Sequence, residues 1–135
     1  MDNVLIIDDC PDATILAVNS LKSYNVHTAR NIKEAREAIS NINFSLFIID
    51  IDLPDGSGFD LCLELSNMPQ FESTPKLMFS SHSDVSKKVF GFSCGADDYI
   101  TKPFSQQELQ ARVDSKLRKK FKNKNEFIGD YEFDQ

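Results

Sequence analysis

Three carboxylates stand where apolar runs end. Asp8 and Asp9 follow Val4–Ile7, and Asp50 follows Leu46–Ile49. An acidic residue in such a place ordinarily caps the next helix. That role suits Asp12, but it explains three carboxylates bound for one rim poorly. Two like charges about 4 Å apart repel by roughly 4 kcal/mol at an effective dielectric near 20, so a cluster ionised together needs a counter-cation. Hard oxygen donors, few of them from protein, suit Mg²⁺, which keeps several waters and often sits beside a phosphate. Ser80 closes the fourth apolar run and Lys102 follows the fifth. A hydroxyl and an ammonium are what phosphoryl oxygens next to such a metal need. Singly, a strand-end Ser is a cap and a loop Lys is solvated; the combination points to phosphoryl chemistry.

For these side chains to meet, the chain must place them at one end of a sheet. Val4–Ile7, Val26–Thr28, Leu46–Ile49, Lys76–Phe79 and Tyr99–Ile100 are the strand candidates. The first and third are apolar throughout, the pattern of a parallel strand covered on both faces. Between them, apolar residues recur at helical spacing: Ile32, Ala35, Ile39 and Ile42; Leu61, Cys62, Leu65 and Met68; Val85, Val89 and Phe92; Leu109, Val113, Leu117 and Phe121. Pro11, Pro54-Asp55-Gly56-Ser57-Gly58, Pro75 and Gly95 punctuate the gaps. Such alternation predicts an open α/β sheet with right-handed crossovers. Ligands of such sheets bind beyond the carboxyl ends of the strands. The carboxylates therefore converge if strands one and three are neighbours, an order that periodicity alone does not reveal.

The chain of 135 residues is the size of one domain and long enough to bury a core without staples. Its net charge of −6 argues against the domain body binding nucleic acid non-specifically. Cys10, Cys62 and Cys94 are sparse, odd in number and far from CxxC spacing, so reduced thiols and a cytoplasmic location are expected. No apolar run approaches a membrane span, and no basic n-region or cleavage site precedes the first strand. The charge changes sign near the end: residues 112–135 carry seven basic against five acidic side chains. The basic stretch Lys116–Lys124 reads as a helix end followed by a solvated linker, with a partner-docking role as the alternative. From Phe127 to Phe133 strand-like alternation returns with nothing to pair with, which predicts a further domain.

The acidic pair Asp8-Asp9, the block Leu46–Gly58 around Asp50, Ser80, and Gly95–Phe104 with Lys102 occur in that order, with Ser80 30 and Lys102 52 residues after Asp50. In these motifs the chain resembles the receiver domain of two-component response regulators, from residue 3 to about 121. The resemblance implies a flavodoxin-like (βα)5 doubly wound parallel sheet with strand order 2-1-3-4-5. It implies Asp50 as the nucleophile that takes a phosphoryl group from a sensor histidine kinase, with Asp8, Asp9, Asp50 and the Asp52 backbone carbonyl holding Mg²⁺. Ser80 and Lys102 would contact the phosphoryl oxygens, and Ser80 and Tyr99 would form the switch. As a half-buried ring at a strand start, Tyr99 also has an ordinary packing role. The resemblance implies that Asp52 and His82 stand at positions that modulate the lifetime of the acyl phosphate, a solvated loop side chain being the ordinary alternative for His82, and Ser81 stands where Ala or Gly is usual in that family. The Lys102-Pro103 bond is expected to be cis. Chemically the set is coherent, because a carboxylate held in line can form an acyl phosphate once metal and lysine offset its charge.

Leu53–Gly58 and Gly95–Phe104 look most like the OmpR/PhoB class, whose receivers precede winged-helix DNA-binding domains. This divides the chain into a receiver over 1–121 and, over 122–135, a linker with the first strand of a truncated winged-helix domain. DNA would be bound through that missing domain and not through this one. In that class active receivers form homodimers through the fourth helix, fifth strand and fifth helix. By position, Lys88 would pair with Glu108, Asp98 with Arg112, and Asp97 with Lys119 across the interface; exposed pairs set specificity more than affinity. The chain would not be an enzyme beyond its own phosphorylation and dephosphorylation. Two rivals remain. One is a standalone receiver signalling by protein contact. The other is a haloacid-dehalogenase-like phosphatase suggested by Asp50-Ile51-Asp52, although Leu53-Pro54 departs from that motif and its place on the third strand leaves little chain for the rest of that site.

Overall fold

The computed structural model describes residues 1–81, 89 and 92–125, with residues 118–125 described by backbone alone. Five parallel strands, β1 (Asn3–Ile7), β2 (Asn25–Ala29), β3 (Leu46–Asp50), β4 (Lys76–Ser80) and β5 (Asp98–Thr101), form one sheet in the order β2-β1-β3-β4-β5. Ile7 lies opposite Ile49, Asp50 opposite Phe79 and Ser80 opposite Thr101, so the carboxyl ends of the central strands are level. Strands one and three are therefore neighbours, as convergence of the carboxylates requires.

Period-two side chains send alternate residues of each strand to opposite faces. Leu5, Ile7, Phe47, Ile49 and Met78 face α2 (Ile32–Asn41) and α3 (Gly58–Ser66), and Ile32, Ala35, Leu61 and Leu65 complete that core. Val4, Ile6, Leu46, Ile48, Leu77 and Phe79 face α1 (Pro11–Ser20) and the last helix (Gln106–Asn125), meeting Ala17, Leu21, Leu109, Val113 and Leu117. This two-sided burial explains why β1 and β3 read as unbroken apolar runs. At the sheet edge, β2 keeps Asn25 and Thr28 exposed, and it announces itself less clearly in sequence.

A two-residue-per-strand antiparallel hairpin, Asp52–Leu53 against Gly56–Ser57, follows β3; the sequence showed only a turn there. It ends at Gly58, whose N–H donates to the Ile51 carbonyl at 2.7 Å. A Cβ at Gly58 would lie 2.0 Å from the Asp50 carbonyl oxygen, so α3 starts this close to β3 only with glycine. The Lys102-Pro103 peptide is cis. No helix among the described residues is long and apolar enough to cross a membrane.

Candidate functional site

Asp8 is the first residue past β1, and its N–H still pairs with the Ala29 carbonyl of β2 at 2.9 Å. That bond fixes the direction of its carboxylate. Oδ1 accepts the Cys10 N–H at 2.9 Å, and Oδ2 lies 2.7 Å from the Lys102 ammonium. Asp50, the last residue of β3, lies one strand away with Oδ2 3.6 Å from the same ammonium. Asp9 is exposed beside them, and one oxygen from each of Asp8, Asp9 and Asp50 lies within 4.8 Å of the others. Lys102 is held in turn, its N–H donating to the Ser80 carbonyl at 2.7 Å and its Nζ 5.4 Å from the Phe79 ring centre. Ser80 is buried at the end of β4. Thus Asp8, Asp9, Asp50, Ser80 and Lys102, spread over 95 positions of sequence, share one rim.

Three carboxylates and one ammonium leave the cluster two charges negative. Burial, then the Asp8 charge, push the Asp50 carboxyl up to about 6, against the opposing pull of Lys102. Burial also disfavours the Lys102 ammonium, but the two carboxylates outweigh it and hold that group above the ordinary lysine range. Asp8 Oδ2 is fully buried and, despite its charge contact, receives no well-directed hydrogen bond. A buried carboxylate oxygen left short of donors, in a set made of hard oxygens, fits a divalent cation such as Mg²⁺. The residues present therefore suit the ion that the sequence calls for.

Over residues 4–114 the chain matches the family model described as the response regulator receiver domain. It belongs to the response regulator receiver domain family. Regulatory protein VanR of Enterococcus faecium is 38% identical over 134 residues, covering 94% of this chain and 57% of that protein. The phosphate regulon transcriptional regulatory protein PhoB of Rhizobium meliloti is 33% identical over 121 residues, covering 88% of this chain and 53% of that one. Among solved structures, the chemotaxis response regulator CheY4 of Vibrio cholerae superposes with a TM-score of 0.82 at 28% identity, covering 87% of this chain and 99% of that chain. The chain spans about half the length of the curated relatives it matches. Family membership sets the dehalogenase-type reading aside.

In this receiver the remaining expected residues fall into three groups. Asp52 is exposed at the start of the hairpin, its N–H 3.5 Å from Asp50 Oδ1. Tyr99 is more buried than a ring at a strand start suggests, 6% exposed, its ring centre 5.2 Å from that of Phe92 with the two rings steeply inclined. His82 and Lys88 lie outside the described residues, as does the stretch from Phe127, and Lys119 is described by backbone alone.

On the face expected to dimerise, the described residues make contacts within the chain. Asp98 and Arg112, read as partners across two chains, pair within one chain, with Arg112 Nη1 2.9 and 2.8 Å from the two Asp98 oxygens. Glu108 lies one helical turn before Arg112 and 3.5 Å from its Nε. The physical reason is adjacency: β5 and the last helix bring opposite charges together with nothing further to order. Asp97 is also engaged locally, its carboxylate accepting the Lys76 N–H at 2.8 Å.

Two features escape the sequence reading. Lys76 is 1% exposed, with Nζ donating to the carbonyls of Phe71 at 2.6 Å and Thr74 at 2.7 Å. As the first residue of β4 it reads as an ordinary strand-edge charge. The second is Asp55 at the hairpin tip, whose partners lie more than twenty positions earlier. Neither leaves a local pattern in sequence.

Proposed function

We propose that this receiver takes a phosphoryl group from the phosphohistidine of a sensor histidine kinase in the cytoplasm. A carboxylate oxygen of Asp50 attacks phosphorus in line with the leaving imidazole. The new O–P bond forms as the P–N bond breaks, and the imidazole departs with the electron pair, taking a proton from solvent. Lys102 offsets the charge on Asp50 and on the transferred oxygens, and the Ser80 hydroxyl donates to one of those oxygens. Asp8, Asp9, Asp50 and the Asp52 carbonyl would hold Mg²⁺, which supplies positive charge to the phosphoryl oxygens when bound. The observation that carries this reading is the set of three carboxylates within 4.8 Å with Lys102 beside two of them.

Once phosphorylated, Ser80 draws toward the phosphate and Tyr99 repacks, biasing the face made by the fourth helix, β5 and the last helix toward a homodimer. There Lys88 would pair with Glu108, Asp98 with Arg112 and Asp97 with Lys119 across the interface. Trading an Asp98–Arg112 pair within one chain for the same pair between chains costs little, because like replaces like. The named transcriptional regulators among the relatives support an output through a C-terminal DNA-binding domain. A standalone receiver is the competing reading, and the full reading frame decides between them.

The test is treatment with acetyl phosphate and Mg²⁺, read by intact mass and by sedimentation. A gain of one phosphoryl group that is absent in Asp50→Asn, together with dimer formation, is the expected result. Labelling that survives Asp50→Asn overturns the assigned nucleophile.

A further inference from the structure

The hairpin after β3 is fastened at both ends, and the two fastenings differ in kind. At its base, Gly58 packs against the Asp50 carbonyl and donates to Ile51. At its tip, Asp55 reaches back to α2: Oδ1 accepts the Ile32 N–H at 2.9 Å and Oδ2 the Lys33 N–H at 3.1 Å. These two donors belong to the first turn of α2 and have no partner within the helix. The Glu34 N–H of the same turn is capped locally by Asn31 at 2.8 Å, and the Glu34 carboxylate reaches back out of the helix to accept the Arg30 N–H at 2.8 Å. Asp55 is therefore the one cap among these that comes from the hairpin. Both N–H bonds hold its carboxyl below the ordinary range, so it is a charged clamp at neutral pH.

Between the two fastenings lie Asp52, Leu53 and Pro54. Leu53 is buried against the α2–α3 core, and Asp52 directs its N–H toward Asp50. Any movement of the tip is thus transmitted through Pro54 and Leu53 to the Asp52 backbone beside the phosphoacceptor. We propose that Asp55 is a positioning residue. By clamping the hairpin tip to the start of α2, it holds the Asp52 backbone where the cation site needs it. This rests on the Mg²⁺-dependent reading above, and assigns the tuning of that site to a side chain that touches neither metal nor phosphate.

The experiment measures Mg²⁺ binding by calorimetry on the full chain without phosphodonor, for wild type, Asp55→Ala, Asp55→Asn and Glu34→Ala. Loss of an outer support of a metal ligand typically weakens binding by about tenfold or more, so Asp55→Ala is expected to raise the Mg²⁺ Kd by about tenfold. Asp55→Asn keeps one acceptor oxygen and should fall between Asp55→Ala and wild type. Glu34→Ala removes a contact at the start of the same helix that does not involve the hairpin, and should leave the Kd unchanged while lowering the melting temperature. An Asp55→Ala Kd within twofold of wild type overturns the inference, as does an equal weakening by Glu34→Ala. If wild type itself binds no Mg²⁺, the reading of the site falls, and the inference with it.

Discussion

Replacing Asp50 with Asn should stabilise the metal-free protein, although it removes the proposed phosphoacceptor. The folded-state pKa of Asp50 is raised from 3.8 to about 6 by burial and by the neighbouring Asp8 charge. Because the folded value lies above the unfolded one, ionising Asp50 costs folding free energy. The cost is absent below about pH 4, where both states hold the proton, grows as pH rises toward 6, and is complete above it. At about 1.4 kcal/mol per pKa unit the ceiling is about 3 kcal/mol. Solvent reaches part of this rim, so about 1–2 kcal/mol is the working figure. For a domain this size that is a rise of about 4–8 °C in Tm. The assay is a pair of thermal melts in EDTA, wild type against Asp50→Asn, at pH 7.5 and again near pH 4.5. Asn should melt higher at pH 7.5, with the gap closing at the lower pH. Saturating Mg²⁺ at pH 7.5 should narrow or reverse it, since the ion binds and stabilises wild type preferentially. An Asp50→Asn variant no more stable than wild type in EDTA at pH 7.5 refutes the account of crowded, partly desolvated carboxylates.

Three further outcomes are expected, two from named contacts and one from position in the chain. Gly58→Ala drives a Cβ to within 2.0 Å of the Asp50 carbonyl oxygen; a loss of about 3 kcal/mol in urea unfolding and slower labelling by acetyl phosphate are expected, and unchanged values for both would show that α3 can start elsewhere. Lys76→Met keeps the buried stem but takes the ammonium donor from the Thr74 carbonyl and leaves the Phe71 carbonyl with the Thr74 N–H alone, so the urea midpoint should fall by the equivalent of about 2 kcal/mol, whereas an equal or higher midpoint would mark the ammonium as dispensable. His82→Ala should change the rate of autodephosphorylation, and identical rates across about pH 6–8 would remove that residue from control of the phosphate lifetime.

Much of the site could be read before the fold was seen because its members sit at strand ends. An apolar run that stops at a carboxylate signals both the strand and the rim at once, and Asp8, Asp9 and Asp50 each did so. Ser80 and Lys102 followed by the same logic. Asp55 and Lys76 carried no such signal. Asp55 sits in a turn motif that any exposed loop might show, and its partners, the Ile32 and Lys33 N–H groups, belong to a helix remote in sequence. Lys76 opens a strand where a lysine would ordinarily reach water, yet the loop after α3 folds its carbonyls over the ammonium. Burial pulls that ammonium below the usual lysine value. The contact of Asp98 with Arg112 inside one chain carried no sequence signal either, since it depends on how the last helix lies beside β5.

Local pattern alone was enough for the alternation of strands and helices, the two-faced burial of β1 and β3, and the types of side chain delivered to the strand ends. These depend on side-chain period and turn chemistry, which act over a few residues. Which strands are neighbours, how near Asp8 comes to Asp50, and where the hairpin tip is anchored were decided only by tertiary packing. Each of those is a distance between segments remote in sequence, set by how helices cover a twisted sheet. No short-range preference of the chain encodes such a distance by itself.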